Sequence, residues 1–317
     1  MLSRVADSLY WMSRYLERAE HTARVVDVHL NLTLEDISGR TPAQRWARVL
    51  KGLHFEPPDD DATDYALMQK ITFDALHSQS ITSSIASARE NARQIREQIS
   101  SEMWTQINRL YLDIRRTRMD AVWDGQPNEF FASVKDGAHL FQGITAATLI
   151  RGEGWHFIQL GRYMERTMSM IGLMDVQFSE GLPDAEFGLS MDHYVEWLAF
   201  LRSFTAFEAY CKVYGADVRP DRVVKFLLFN PEFPHTVRFC VQQMQEAFNK
   251  IAAETHLNRN SKLQRLMGRL SSDLSYDEID DVRQNYHDYL IHIKEQCAQI
   301  HTSIYDTYIY RQIDATT

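Results

Sequence analysis

From residue 81 to 114, apolar residues recur by threes and fours: Ile81, Ile85, Ala88, Ala92, Ile95, Ile99, Met103, Ile107, Leu110 and Ile114. This is the period of one face of an α-helix and predicts a single helix about 50 Å long at ~1.5 Å per residue. A helix of that length needs others alongside it, so the pattern predicts an elongated bundle. The same period runs through the rest of the chain, and no alternating stretch is long enough to require a strand. Thr41-Pro42 and Gln126-Pro127 read as helix starts, a cap followed by proline in the first turn. Ser190 precedes a predicted helix that ends at Gly215, a position suited to a left-handed cap. Residues 219–234 predict a short helix closed by a proline-bracketed turn. Ser275 and Glu278 have the spacing of a capping box, opening a final helix to about Tyr310. Asp277, Glu278, Asp280 and Asp281 would then favour the positive end of that helix. The fold class is all-α.

A second pattern is a repeat. "RYLERAE" at 14–20 returns as "RYMERTM" at 162–168, an offset of 148 residues. The offset superimposes Arg14, Glu17, Arg18 and Asp27 on Arg162, Glu165, Arg166 and Asp175. The core stripe follows, with Leu9, Met12 and Leu16 falling on Phe157, Leu160 and Met164. On the opposite face the charged band is bracketed by apolar residues, Tyr10 and Trp11 before it and Val25 and Val28 after it. A solvated face would stay polar along its length, so both helices are expected to pack on two sides with the band partly buried. Glu17 can reach Arg14 one turn back, whereas Arg18 needs a carboxylate from elsewhere. Two halves meeting about a pseudo-two-fold axis would supply it, with Glu17 to Arg166 matched by Arg18 to Glu165. Glu208 interrupts the seam Trp197, Leu201, Phe204, Cys211 and is a candidate extra acceptor. The expected network is therefore Arg14, Glu17, Arg18, Arg162, Glu165, Arg166 and Glu208, structural or ligand-binding. The expected organisation is one helical domain, 1–317, with candidate half-repeats 1–150 and 151–317.

Composition narrows the function. The chain has 317 residues with a formal net charge of -9, which disfavours nucleic acid and anionic lipid as partners. No apolar run approaches the roughly 20 residues needed to span a bilayer. Asp7, Arg14 and Glu17 fall where a signal peptide would need an unbroken apolar stretch. Cys211, Cys240 and Cys297 are isolated, as a reducing cytoplasm tolerates, and a cytoplasmic location is expected. There is no Gly-rich phosphate loop, GxSxG or HExxH. Glu153 and His156 have the spacing of a di-iron bundle ligand pair, but a bridged site needs a second such pair and two more glutamates. No metal and no cofactor is therefore expected. Asn91, Arg93 and Arg96, with Arg89 and Glu97 nearby, form a candidate ligand-binding group; a solvated helix face accounts for them more simply.

The opening "MLSRVADSLYWMSRYLERAEHTARVVDV" resembles that of the bacterial Alpha-E family, helical proteins named for a Glu-Arg motif. The resemblance continues through 88–112, 141–168 and 207–240, and it maps the motif to Glu17-Arg18 and Glu165-Arg166. It implies partnership with a circularly permuted ATP-grasp ligase and a transglutaminase-like protein in a peptide-forming or peptide-modifying system. Two functions follow. One is a helical accessory protein or scaffold for an amidoligase, without ATPase activity of its own. The other is an enzyme that binds a carboxylate-bearing peptide or amino acid in a Glu/Arg-lined cleft.

Overall fold

Hydroxyl caps set many of the helix starts. The side chains of Thr41, Thr63, Ser80, Ser100, Thr236 and Ser261 each accept a backbone N–H in the first turn of the helix that follows, satisfying donors that would otherwise lack a partner. The computed structural model describes residues 1–35, 41–178, 191–255, 261–277, 279–282 and 285–310. Among these the secondary structure is helical, without strands. The helices are α1 (Ser3–Glu35), α2 (Pro42–Gly52), α3 (Asp64–Phe73), α4 (Ile81–Gln94), α5 (Ser101–Arg116), α6 (Met119–Trp123), α7 (Pro127–Thr148) and α8 (Glu153–Phe178). They continue as α9 (Met191–Ser203), α10 (Phe207–Tyr214), α11 (Pro220–Phe229), α12 (Val237–Glu254), α13 (Lys262–Tyr276), α14 (Ile279–Val282) and α15 (Tyr286–Ile304), the last running into a π-helical turn at Tyr305–Tyr310.

The long helices α1 and α8 pack on each other and carry most of the other elements. Helix α1 also packs on α4, α7 and α9; α4 packs on α5, and α5 on α7. Helix α8 packs on α12, α15 and α2; α12 packs on α13, and α13 on α15. The charged repeat thus lies at the centre of the molecule, on the two helices with the most neighbours. No described helix is long and apolar enough to cross a membrane.

The structure corrects three sequence expectations. The stripe from Ile81 to Ile114 is buried throughout, but it belongs to two helices. Residues Arg96–Gln98 form a 3-10 turn, and the Ser100 hydroxyl restarts the chain as α5 by accepting the Met103 amide. A turn whose apolar residues stay in phase with both helices leaves no trace in the hydrophobic spacing. This removes the argument for elongation that rested on one long helix. The helix expected to run to Gly215 likewise breaks after Ser203, where Thr205 takes a positive φ of 52°; Gly215 does end α10 with φ 75°. The final helix starts at Tyr286, capped by Asn285, and not at a Ser275 box. Ser275 lies inside α13 and donates back to the Ser271 carbonyl. Glu278 and Ser190 lie outside the described residues. Thr41-Pro42 forms the expected capped start, complete with a capping box through Gln44.

Candidate functional site

Helices α1 and α8 are in tight contact at Ser13 and Gly161, positions related by the 148-residue offset. A β-carbon at Gly161 would lie 2.3 Å from the Tyr10 carbonyl oxygen and 2.5 Å from the Ser13 hydroxyl. Glycine is therefore required for the helices to come this near. At that separation, side chains one turn further on reach across. Glu165 accepts from Arg14 Nε at 2.7 Å and from Arg18 Nε at 2.6 Å. Glu17 accepts from Arg166 Nε at 2.5 Å and lies 3.5 Å from Arg162 Nε. The expected exchange of Glu17 with Arg166 and Arg18 with Glu165 is present. One detail differs: Arg14 pairs with Glu165 of the other helix and not with Glu17 of its own. Arg14, Arg18 and Arg166 are each hydrogen-bonded across the crossing.

These groups are buried. Glu17, Glu165, Arg166 and Arg14 expose at most a tenth of their surface. Burial alone would raise the Glu165 carboxyl, but Arg14 and Arg18 outweigh it and hold it down at about 2. Arg14 and Arg166 are held charged by Glu165 and Glu17, against the cost of burial. The Arg162 guanidinium is shifted the other way, its charge disfavoured by burial and by the neighbouring Arg166.

Other residues complete the polar interior. Tyr10 approaches Arg14 Nη1 at 3.3 Å, and the Tyr10 hydroxyl is 2.9 Å from His301 Nδ1 on α15. Gln142 on α7 donates to Glu17 Oε2 at 3.1 Å, and Arg166 Nη1 donates to the Pro234 carbonyl at 3.1 Å. One turn along α1, Glu20 pairs with Arg24 and lies 3.4 Å from His139 Nε2. His21 is buried beside Phe204, and burial lowers its pKa to about 4 despite the nearby Glu20 and Glu17. Sequence reasoning missed Gln142, His301, Pro234 and the Glu20–Arg24 pair. The last had a signal in its i,i+4 spacing; the others come from distant helices that no spacing connects.

Glu208 does not join the network. It is exposed in the first turn of α10, because the break at Thr205 takes it out of phase with the buried Trp197, Leu201 and Phe204. Asn91, Arg93 and Arg96 do not converge on a common point. Asn91 donates to the Ser87 carbonyl, Arg93 forms a bidentate pair with Glu90, and Arg96 stacks over Trp104 at 4.8 Å. The Glu153 carboxylate accepts from the Met1 amino group at 2.8 Å. Among the described residues, no group of three or more His, Cys, Asp or Glu side chains could hold a metal ion. Cys240 and Cys297 are buried, and burial raises both thiols to about 12.

The described residues are all-helical and bring two Glu-Arg motifs into mutual contact. The chain belongs to the Alpha-E family, described as a predicted alpha-helical domain with a conserved ER motif, whose model matches residues 1–309. No curated protein and no solved structure matches it.

Proposed function

We propose that this protein is a helical accessory partner of an ATP-grasp amidoligase in peptide synthesis or modification, working in the cytoplasm and without ATPase activity of its own. The observation that carries this reading is the burial of both motif carboxylates against arginine. Glu165, held at about 2 by Arg14 and Arg18, is a poor general base near neutral pH, where a pKa close to 7 is most effective. The motif is used to hold α1 against α8, which suits a scaffold better than a catalyst. Family resemblance supplies the partners, an ATP-grasp ligase and a transglutaminase-like protein.

The half-repeats 1–150 and 151–317 belong to the same proposal. Their support is the parallel order of packing, α1-α4-α5-α7 beside α8-α12-α13-α15. A further parallel is Asp27, paired with Lys135 of α7, while Asp175 meets His287 of α15. A pull-down of the tagged chain with the neighbouring ligase tests the function, followed by ligase rates with and without it. Co-purification and a changed rate or acceptor range are expected. ATP turnover by the chain alone, lost in Glu165→Gln, would favour the enzyme reading.

A further inference from the structure

We propose that Arg162 is the anchor of a binding site for a carboxylate carried on a short apolar group. The inference rests on the accessory reading only for why the protein would hold such a group. The motif network places four guanidiniums, Arg14, Arg18, Arg162 and Arg166, around two carboxylates, Glu17 and Glu165. That leaves two positive charges in excess, and the nearby Glu20 is already taken by Arg24 and His139. The deficit falls on Arg162. Its Nε is buried without a hydrogen-bond partner, since Glu17 Oε2 at 3.5 Å is within ion-pair range only, and Gln142 takes that same oxygen. A buried guanidinium N–H left in this state is costly, and an anion would relieve it.

The space for one is present. Arg162 and Gln142 line a half-open cleft of about 50 Å³ between α1, α7 and α8. Its remaining polar groups come from Ser13, Thr145 and Gln159, and its walls are apolar: Leu16, Phe141, Ile158 and Trp155. The hydroxyls of Ser13 and Thr145 are committed to backbone carbonyls of their own helices, so the guanidinium is the charged group that selects the ligand, with the Gln159 amide beside it. A planar fork recognises a carboxylate through two parallel bonds. The walls favour a short aliphatic substituent over a hydrated anion such as phosphate. At the rim Arg151 stacks on Trp155 at 3.6 Å, adding positive charge at the entrance. A peptide C-terminus and a free aliphatic acid share this chemistry.

The test titrates the full chain, followed by NMR shifts at constant ionic strength, with propionate, N-acetyl-dialanine and N-acetyl-dialanine amide. Saturable binding of the carboxylates and none of the amide is expected. Tighter binding of the peptide acid than of propionate assigns a peptide C-terminus, and equal binding assigns a small acid. Arg162→Gln should weaken binding about tenfold or more. Ala146→Leu, at an exposed position lining the cleft, should do the same without touching the ion pairs, whereas Arg109→Gln should change nothing. Absence of saturation by either acid, equal binding of the amide, or wild-type affinity in Ala146→Leu overturns the proposal. No ligase enters the measurement, so its outcome is separate from that of the accessory reading.

Discussion

The two copies of the motif differ in what covers them. On the α1 side, Arg14 is bound by Glu165, approached by the Tyr10 hydroxyl and His301, and covered by the Trp11 ring at 4.5 Å. On the α8 side, Arg162 has Glu17 at 3.5 Å and faces a cleft. The sequence position equivalent to Tyr10 is Ile158, which cannot donate or accept a hydrogen bond. A duplicated charge pattern thus gives one closed side and one open side. The difference comes from Ile158 and Gln159 standing where α1 has Tyr10 and Trp11, and from the third helix that packs there. Identical pairing does not make two sites equivalent when their surroundings differ.

The largest effect should come from the carboxylates. Glu165 accepts two Nε bonds and Glu17 one, so Glu165→Gln strands two buried guanidiniums. Urea denaturation is expected to show a loss of about 3–5 kcal/mol for Glu165→Gln and a smaller loss for Glu17→Gln. Equal losses would erase the distinction between the two sides.

The next effect is pH dependence, to which His21 contributes without a counterpart on α8, because the equivalent position is Ser169. Folding lowers the His21 pKa from 6.5 to about 4, so between these values the unfolded chain takes up the proton first. Its contribution is complete above 6.5 and is lost as the pH falls toward 4, by roughly 3 kcal/mol. Glu165, lowered from 4.5 to about 2, begins to lose its contribution only below about 4.5. Stability measured against pH should therefore decline before any carboxylate titrates, and His21→Asn should remove part of that upper portion, the rest coming from His301 and His235, which burial also lowers.

The helix crossing should respond less, and unequally. Gly161→Ala drives a β-carbon into the Tyr10 carbonyl and should cost about 1–3 kcal/mol as α1 and α8 separate. At the equivalent position, Ser13→Ala loses a hydrogen bond to the Tyr10 carbonyl and should cost ~1 kcal/mol or less. The smallest effect is expected at the open side. Arg162→Lys should cost under about 1 kcal/mol, and Arg14→Lys about 2, because only Arg14 has its hydrogen bonds made.

Much of this architecture was legible in the sequence because helical periodicity and buried charge both leave marks on it. The bracketing of Arg14, Glu17 and Arg18 by Tyr10 and Val25 signalled a band packed on two sides, and the 148-residue offset named its partners. The breaks at Arg96–Gln98 and Thr205 were illegible because the hydrophobic phase continues, or nearly continues, across them. The misplacing of Glu208 followed from the second break. Gln142 and His301 were equally hidden, since each reaches the motif from a helix distant in sequence. Arg162 was named as a member of the network, but the lack of a hydrogen-bond partner at its Nε is visible only once Ile158 and Gln142 are placed around it.

The Glu-Arg motif occurs twice, on this account, because α1 and α8 exchange charges. The most direct test is a pair of double-mutant cycles, one on Glu17 and Arg166 and one on Arg18 and Glu165, read by chemical denaturation. Coupling of about 1–3 kcal/mol in both cycles is the predicted result. Coupling near zero in either, with both single variants folded, would contradict it.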